Sequence, residues 1–353
     1  MKRRSFMQIS LGAGAALATQ AALAASTAQT AAADAAPAVA SPSTAAPLVW
    51  VSRRLNAMGL SMQLQLGHRD RQFGEQALQA AIAEIRAVED QMSLFRADSA
   101  LCQLNREGRL DHAPADLLAV LRLAQQVSAH SQGSFDVTVQ PLWLAFEQAR
   151  QQARLPTPVE VAQARARVGW RGLLLEGDSL RLQRSGMAVT LNGIAQGYAA
   201  DKVHARWQAM GIEHALVDAG EWAAMGQSPH GGDWNLGLAS PRGAHALLAG
   251  VSLHGKCLAT SADDQCHFSD DLVHHHIFDP RTGYSPGGIA SVSVMADSAA
   301  MADALTKVLF MAGYPRALPL ARSLGVAALV VDKQGRWQAT ADMPLRQASL
   351  LRG

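Results

Sequence analysis

Apolar residues recur at Leu78, Ile82, Ile85, Val88 and Met92, three or four positions apart, and this spacing predicts a helix over 75–92. Residues 115–131 read as a second helix, and PTPVEVAQARARV, with proline near its first turn, starts a third. MAVTLN, 187–192, reads as a strand. A helix follows from about Ile194 to Met210, and then HALVDAG, 214–220, a strand stopped by glycine. Short strands are expected around 234–239, 248–253 and 290–296. Ser298 caps a helix running to about Ala312, another helix covers 315–324, and strands AALVVD and WQAT finish the chain. The strands are apolar or alternating and the helices flank them. That pattern predicts an α+β or mixed α/β fold in one large domain of about 300 residues.

The first 46 residues depart from this pattern. MKRRSFMQISLGAGAALATQAALAA has a basic start, a weakly apolar Gly/Ala-rich middle and a small-residue end at Ala22-Leu23-Ala24. It reads as a secretory signal over 1–25, too short and too rich in small residues for a membrane span. Arg3-Arg4-Ser5-Phe6-Met7 resembles a twin-arginine export signal, a route that carries folded proteins. No cysteine follows to carry a lipid anchor, so the mature protein is expected to be periplasmic, with no membrane span. Residues 26–46 are Ala/Ser/Thr/Pro-rich with Val39 as the sole large apolar residue, and read as a linker. The domain then covers 47–350.

Composition narrows the function classes. Hydrophobic residues make up 49% of the chain, enough for a substantial core, and the net charge is only +2 with no basic run, which argues against a nucleic-acid partner. Cys102, Cys257 and Cys266 lack CxxC spacing. They allow one disulfide at most, and read most simply as small buried hydrophobes.

Three stretches carry candidate chemistry. In HHHIFDPRTGYSP, 274–286, three consecutive histidines suggest a metal at first sight. Neighbours on a strand point oppositely, however, so such a triplet makes a poor site. His274 and His275 are expected at a strand end, alternating sides, with Asp279 and Arg281 fixing the turn. In MADALTKVLF, Asp303, Thr306 and Lys307 share one helix face. TLNGIAQGYAAD, 190–201, supplies a strand end, a glycine turn and a helix start, where backbone amides suit a phosphate.

These stretches occur in order with others: AMG (57–59), SLFRADSALCQLN (93–105), SFDVTVQPLW (134–143), ALVDAGE (215–221) and ATS (259–261). The ordered set resembles the FAD:protein FMN transferase (ApbE) family. The likeness covers about 48–345, and HIxDPRTGxxP followed by ADAL…LFxxG is its most specific part. The resemblance implies a T-fold-like α+β core with an added lobe. It also implies an enzyme that binds FAD and Mg²⁺ and transfers FMN to a Ser/Thr hydroxyl of an exported flavoprotein, releasing AMP. Carried onto this chain, it places Met58, Phe95, Ser134, Phe135, Asp136, Thr190, Gln196 and Ile277 around FAD. Gly193 (by its carbonyl), Asp303 and Thr306 fall around the metal, and His276 and Asp303 in the chemistry. Four positions differ from the family pattern: Thr190 for an acid, Gln196 for Lys or Glu, Phe95 for Tyr or Trp, and Lys307 for the threonine that ligates metal. The family's Asn-Ala-Gly-Gly-Asp is Asp218-Ala219-Gly220-Glu221-Trp222 here. A cation cannot ligate Mg²⁺, which wants oxygens. Two other activities are therefore weighed beside transfer: flavin binding without transfer, and Mg²⁺-dependent FAD pyrophosphatase action.

Overall fold

The computed structural model describes residues 47–243 and 246–346. The expected signal (1–25), the linker (26–46) and the last residues of the expected domain (347–350) lie outside the described residues.

The chain opens with a hairpin, β1 (Val49–Ala57) and β2 (Leu60–His68). Alternation in LSMQLQLGH buries Met62, Leu64 and Leu66 on one face. Met58 and Gly59 make the two-residue turn, both at positive φ (50° and 82°), the geometry a tight hairpin requires. This hairpin is absent from the sequence-based expectation. Helix α1 (Arg71–Met92) follows. Asp70 caps it by accepting from the amides of Gln72 and Phe73, and the predicted stripe Leu78, Ile85, Val88, Met92 is buried.

A lobe comes next: α2 (Ala100–Glu107), β3 (Arg109–Leu110), α3 (Ala115–His130), α4 (Gln140–Gln151), α5 (Pro158–Arg165), β4 (Leu173–Glu176) and β5 (Ser179–Leu182). Residues 187–192, expected as a strand, pair with none. The Asn105 side chain bonds both the amide (2.6 Å) and carbonyl (2.8 Å) of Val189, and the Thr190 amide donates to the Val137 carbonyl at 2.8 Å. The segment is extended, but a side-chain amide and a loop satisfy its backbone instead of a ladder.

The second half supplies α6 (Ala195–Ala209), β6 (His214–Asp218), β7 (Trp222–Met225), β8 (Trp234–Ala239), β9 (Leu247–Leu253), β10 (Cys257–Ala262) and β11 (Ile289–Ala296). It ends with α7 (Ala299–Ala312), α8 (Tyr314–Ser323), β12 (Ala327–Asp332), β13 (Trp337–Ala339) and β14 (Leu345–Arg346). Eight strands form one antiparallel sheet in the order β1-β2-β6-β7-β10-β11-β12-β13. Helices α1, α6, α7 and α8 line one face. The small sheet β14-β9-β8 covers the other. Period-two alternation serves both layers: in β12, Ala328 and Val330 join the helix-side core, while Ala327, Leu329 and Val331 join the opposite one.

Two residues of TLNGIAQGYAAD clamp α6 to α7. A Cβ on Gly197 would lie 2.3 Å from the Ala299 carbonyl oxygen, so glycine alone lets the helix backbones approach this closely. Four residues on, Asp201 accepts from the Ser298 hydroxyl (2.7 Å) and the amides of Ala299 (2.7 Å) and Ala300 (3.0 Å), satisfying the start of α7. Asp201→Ala should therefore lower stability by about 1–2 kcal/mol in denaturant unfolding. An unchanged midpoint would mean that the Ser298 cap, which bonds the Met301 amide, suffices alone.

Candidate functional site

The clamp sets the geometry of a cleft. One wall is the turn before α6 with Thr190, Gly193 and Gln196. A second is the lobe segment Ser134–Asp136. The loop His276–Phe278 forms a third, and the floor carries Glu221, Thr260, Ser261 and Lys307. Every expected FAD contact reaches this cleft except Met58 and Phe95. Those two lie together beside it. Phe95 sits over the hairpin turn, where a Cβ on Gly59 would be 2.9 Å from its ring, and remains 72% exposed. Leu60 packs on Gly220, which also neighbours Gln196, so the turn adjoins the cleft. The Met58 amide donates to Glu89 at 2.6 Å, holding a non-glycine residue at positive φ.

Several cleft residues are already committed. Asp136 accepts from the Thr138 amide (2.8 Å) and hydroxyl (2.6 Å) and the Trp170 amide (2.8 Å), which makes it a brace for the lobe. Burial raises its carboxyl despite these bonds. The Ser134 hydroxyl donates to the Ser131 carbonyl at 2.8 Å. Gln196 has its amide unspent toward other side chains among the described residues.

His274 and His275 do not lie on a strand end as expected. All three histidines sit in a loop with one isolated bridge, His267 to His275, because the Asp279–Tyr284 turn draws the chain back immediately. Their rings enter three surroundings. His274 meets Phe146 (5.7 Å) and Tyr284 (6.1 Å), His275 is buried against Phe310 (5.9 Å), and His276 faces the cleft. Asp279 and Arg281 fix the turn: the carboxylate takes the Arg281 amide (2.9 Å) and guanidinium (2.9 and 2.8 Å).

His276 Nδ1 lies 3.0 Å from the Cys266 carbonyl. A carbonyl only accepts, so Nδ1 carries the proton and Nε2 keeps its lone pair. Burial lowers the imidazole to about 4, and His275 likewise to about 3. Both depart downward from the unfolded value near 6.5, so their stabilising effect is complete above ~6.5 and is lost as pH falls toward about 4. Calorimetry should show the melting temperature declining across that window. Asp136 and Glu221, whose carboxyls are raised, work in the opposite direction, so the decisive comparison is with His275→Asn: a decline no smaller in that variant than in wild type would show that His275 is not held neutral.

The metal set is brought together but does not fit a hard dication as it stands. Lys307 Nζ is paired with Asp303 Oδ1 and bonds the Asp303 carbonyl at 3.2 Å. The Thr306 hydroxyl donates to that same carbonyl at 2.6 Å and is paired with Ser261 Oγ at 2.7 Å. An ammonium occupies the carboxylate that Mg²⁺ would need, and the threonine oxygen is turned into the helix. No group of three or more His, Cys, Asp or Glu able to hold a metal occurs among the described residues. Glu221, whose role the sequence reading passes over, adds a second carboxyl. It is buried, accepts from the Thr260 amide at 3.2 Å, and is raised well above its ordinary value by burial and then by Asp303. Its signal was available, since it replaces a glycine of the family's Asn-Ala-Gly-Gly-Asp.

A cleft with a helix start, a neutral imidazole and a half-buried ammonium suits a protein that handles a phosphorylated ligand. The sequence pattern of the ApbE family matches residues 58–330, and the chain belongs to that family. It is similar to a FAD:protein FMN transferase of Vibrio cholerae, 30% identical over 258 residues, 70% of this chain and 77% of that one. A FAD:protein FMN transferase of Haemophilus influenzae is 28% identical over 264 residues, covering 70% and 76%. Among solved structures, the Pseudomonas stutzeri flavinyl transferase ApbE in its apo form superposes with a TM-score of 0.74 at 28% identity, over 84% of this chain and 96% of that one. The ApbE protein of Thermotoga maritima gives 0.76 over 83% and 97%; at 24% identity it speaks to the fold alone.

Proposed function

We propose that the protein is a transferase that moves FMN from FAD to a Ser/Thr hydroxyl of an exported flavoprotein. Family membership and the relatives named as FAD:protein FMN transferases support the reading. The observation that carries it is His276, which lines the cleft and whose Nε2 is left unprotonated by the Nδ1 hydrogen bond. In the step, the acceptor hydroxyl oxygen attacks the phosphorus on the FMN side of the diphosphate. The bond from that phosphorus to the bridging oxygen breaks, and AMP leaves with that oxygen. The hydroxyl proton goes to His276 Nε2 and from there to solvent. The start of α6 and Lys307 supply positive potential for the diphosphate. Asp303 acts through Lys307, holding its ammonium in place.

The twin-arginine-type signal supports a periplasmic site of action, where an exported acceptor would also be found. No described helix is long and apolar enough to cross a membrane.

The test incubates the mature protein with FAD and an exported flavoprotein domain, following AMP by chromatography and covalent FMN by mass spectrometry. Equal AMP and protein-bound FMN is the expected outcome. AMP with free FMN would make it a pyrophosphatase, and FAD binding with neither product a flavin-holding protein. Phe95→Ala should weaken FAD binding about tenfold, by losing an exposed ring positioned for stacking. Unchanged affinity would remove Phe95 from the ligand's path.

A further inference from the structure

We propose that the Lys307 ammonium takes the place of a divalent cation in this site, so that the chain holds the FAD diphosphate with a tethered cation and needs no metal. This rests on the FMN-transfer reading for the identity of the ligand.

Position carries the argument. The Lys307 stem runs over Gly193: a Cβ built there would lie 3.0 Å from Lys307 Cε and 3.6 Å from Nζ. The same nitrogen bonds both the carboxylate and the carbonyl of Asp303. It therefore stands among the groups that would otherwise surround a cation at this place, the backbone at Gly193 and the Asp303 carboxylate. The remaining oxygen is withdrawn, because Thr306 is fully buried and its hydroxyl is engaged by Asp303 and Ser261. A lysine ammonium has three donors. Two are directed at Asp303, and the side chain, 18% exposed, borders the cleft beside Glu221 and His276. The third donor is left for a ligand oxygen.

The second carboxyl belongs to the same device. Glu221 and Asp303 are both buried, Lys307 is ion-paired with Asp303 and lines the same cleft as Glu221, and Asp303 Oδ2 has no hydrogen-bond partner. Removing the ammonium would leave the Asp303 carboxylate buried beside a second carboxyl and without its ion-pair partner, so that it must take up a proton or another cation. That predicts a reciprocal exchange: taking Lys307 away should create a need for metal where none existed.

The experiment follows FAD binding by calorimetry in excess chelator and in excess Mg²⁺, with Mn²⁺ binding followed separately by electron paramagnetic resonance. Wild type should bind FAD with the same affinity in both conditions and should not bind Mn²⁺. Lys307→Thr, which restores an oxygen, should lose roughly ten- to a hundredfold in FAD affinity under chelator, recover it with Mg²⁺, and bind Mn²⁺. Lys307→Met, with neither cation nor ligand oxygen, should be weak in both conditions. A wild type whose FAD affinity collapses under chelator, or which binds Mn²⁺ in an Asp303-dependent way, overturns the proposal without needing any variant to fold. Chelator-independent FAD binding with no FMN transfer would sink the transferase reading and leave the tethered cation standing. Absence of FAD binding in either condition would sink both.

Discussion

His276→Ala is expected to lower FMN transfer about 10²- to 10⁴-fold while leaving FAD affinity within a few-fold. The ring is placed by its own backbone and by one hydrogen bond, Nδ1 to the Cys266 carbonyl, which fixes the tautomer and leaves Nε2 unprotonated on a residue that lines the cleft. Alanine removes the proton acceptor and little of the wall, since Ile277 and Phe278 beside it are buried on their own account. The pH profile separates this role from a merely structural one. The base works deprotonated and burial holds it at about 4, so kcat/KM should stay level through neutrality and fall only as pH drops toward about 4. A histidine at its ordinary value would already be half lost near 6.5. An activity that halves near 6.5, or a variant at wild-type rate, would assign the base elsewhere.

Gly197→Ala is expected to cost about 3 kcal/mol or more. Its new methyl group would lie 2.3, 2.5 and 2.6 Å from the Ala299 oxygen, the Ala299 carbonyl carbon and the Ala300 nitrogen. All three atoms are backbone, so no rotamer change relieves the clash, and the helices must separate by a substantial part of an ångström. Separation would also pull Gly193 from Lys307, because those residues lie on the two sides of the same contact. Denaturant unfolding should show the stability loss, with FAD affinity falling in parallel. A variant that unfolds at the wild-type midpoint would mean α6 and α7 slide apart at no cost.

Long amphipathic helices were legible in the sequence. The 75–92 stripe and the Ser298 cap appear where spacing and cap chemistry place them, because each depends on neighbours within a turn. The MAVTLN strand was not, since its β-like composition says nothing of partners; Asn105, 84 positions earlier than Val189, supplies them. Helix α4 hid in the motif SFDVTVQPLW, whose proline sits harmlessly in the first turn. In the site, the sequence showed that Lys307 shares a face with Asp303, but not where its ammonium ends. That depended on Gly193 being small enough to let the stem pass over it. Glu221 was visible as a departure, and only the fold shows that it lines the same cleft as Lys307.

The clamp between α6 and α7 bears on how this chain can change over generations. TLNGIAQGYAAD reads as one signature, yet its positions answer to two different demands. Gly197 and Asp201 hold two helices together, whereas Thr190 and Gln196 border the cleft. Selection for folding alone retains the first pair in any descendant, including one that has abandoned its chemistry. The second pair drifts as soon as the ligand's demands relax or move. A signature kept at Gly197 and Asp201 is thus a record of ancestry, and evidence about present activity has to be sought at the positions that border the cleft, Thr190 and Gln196 among them.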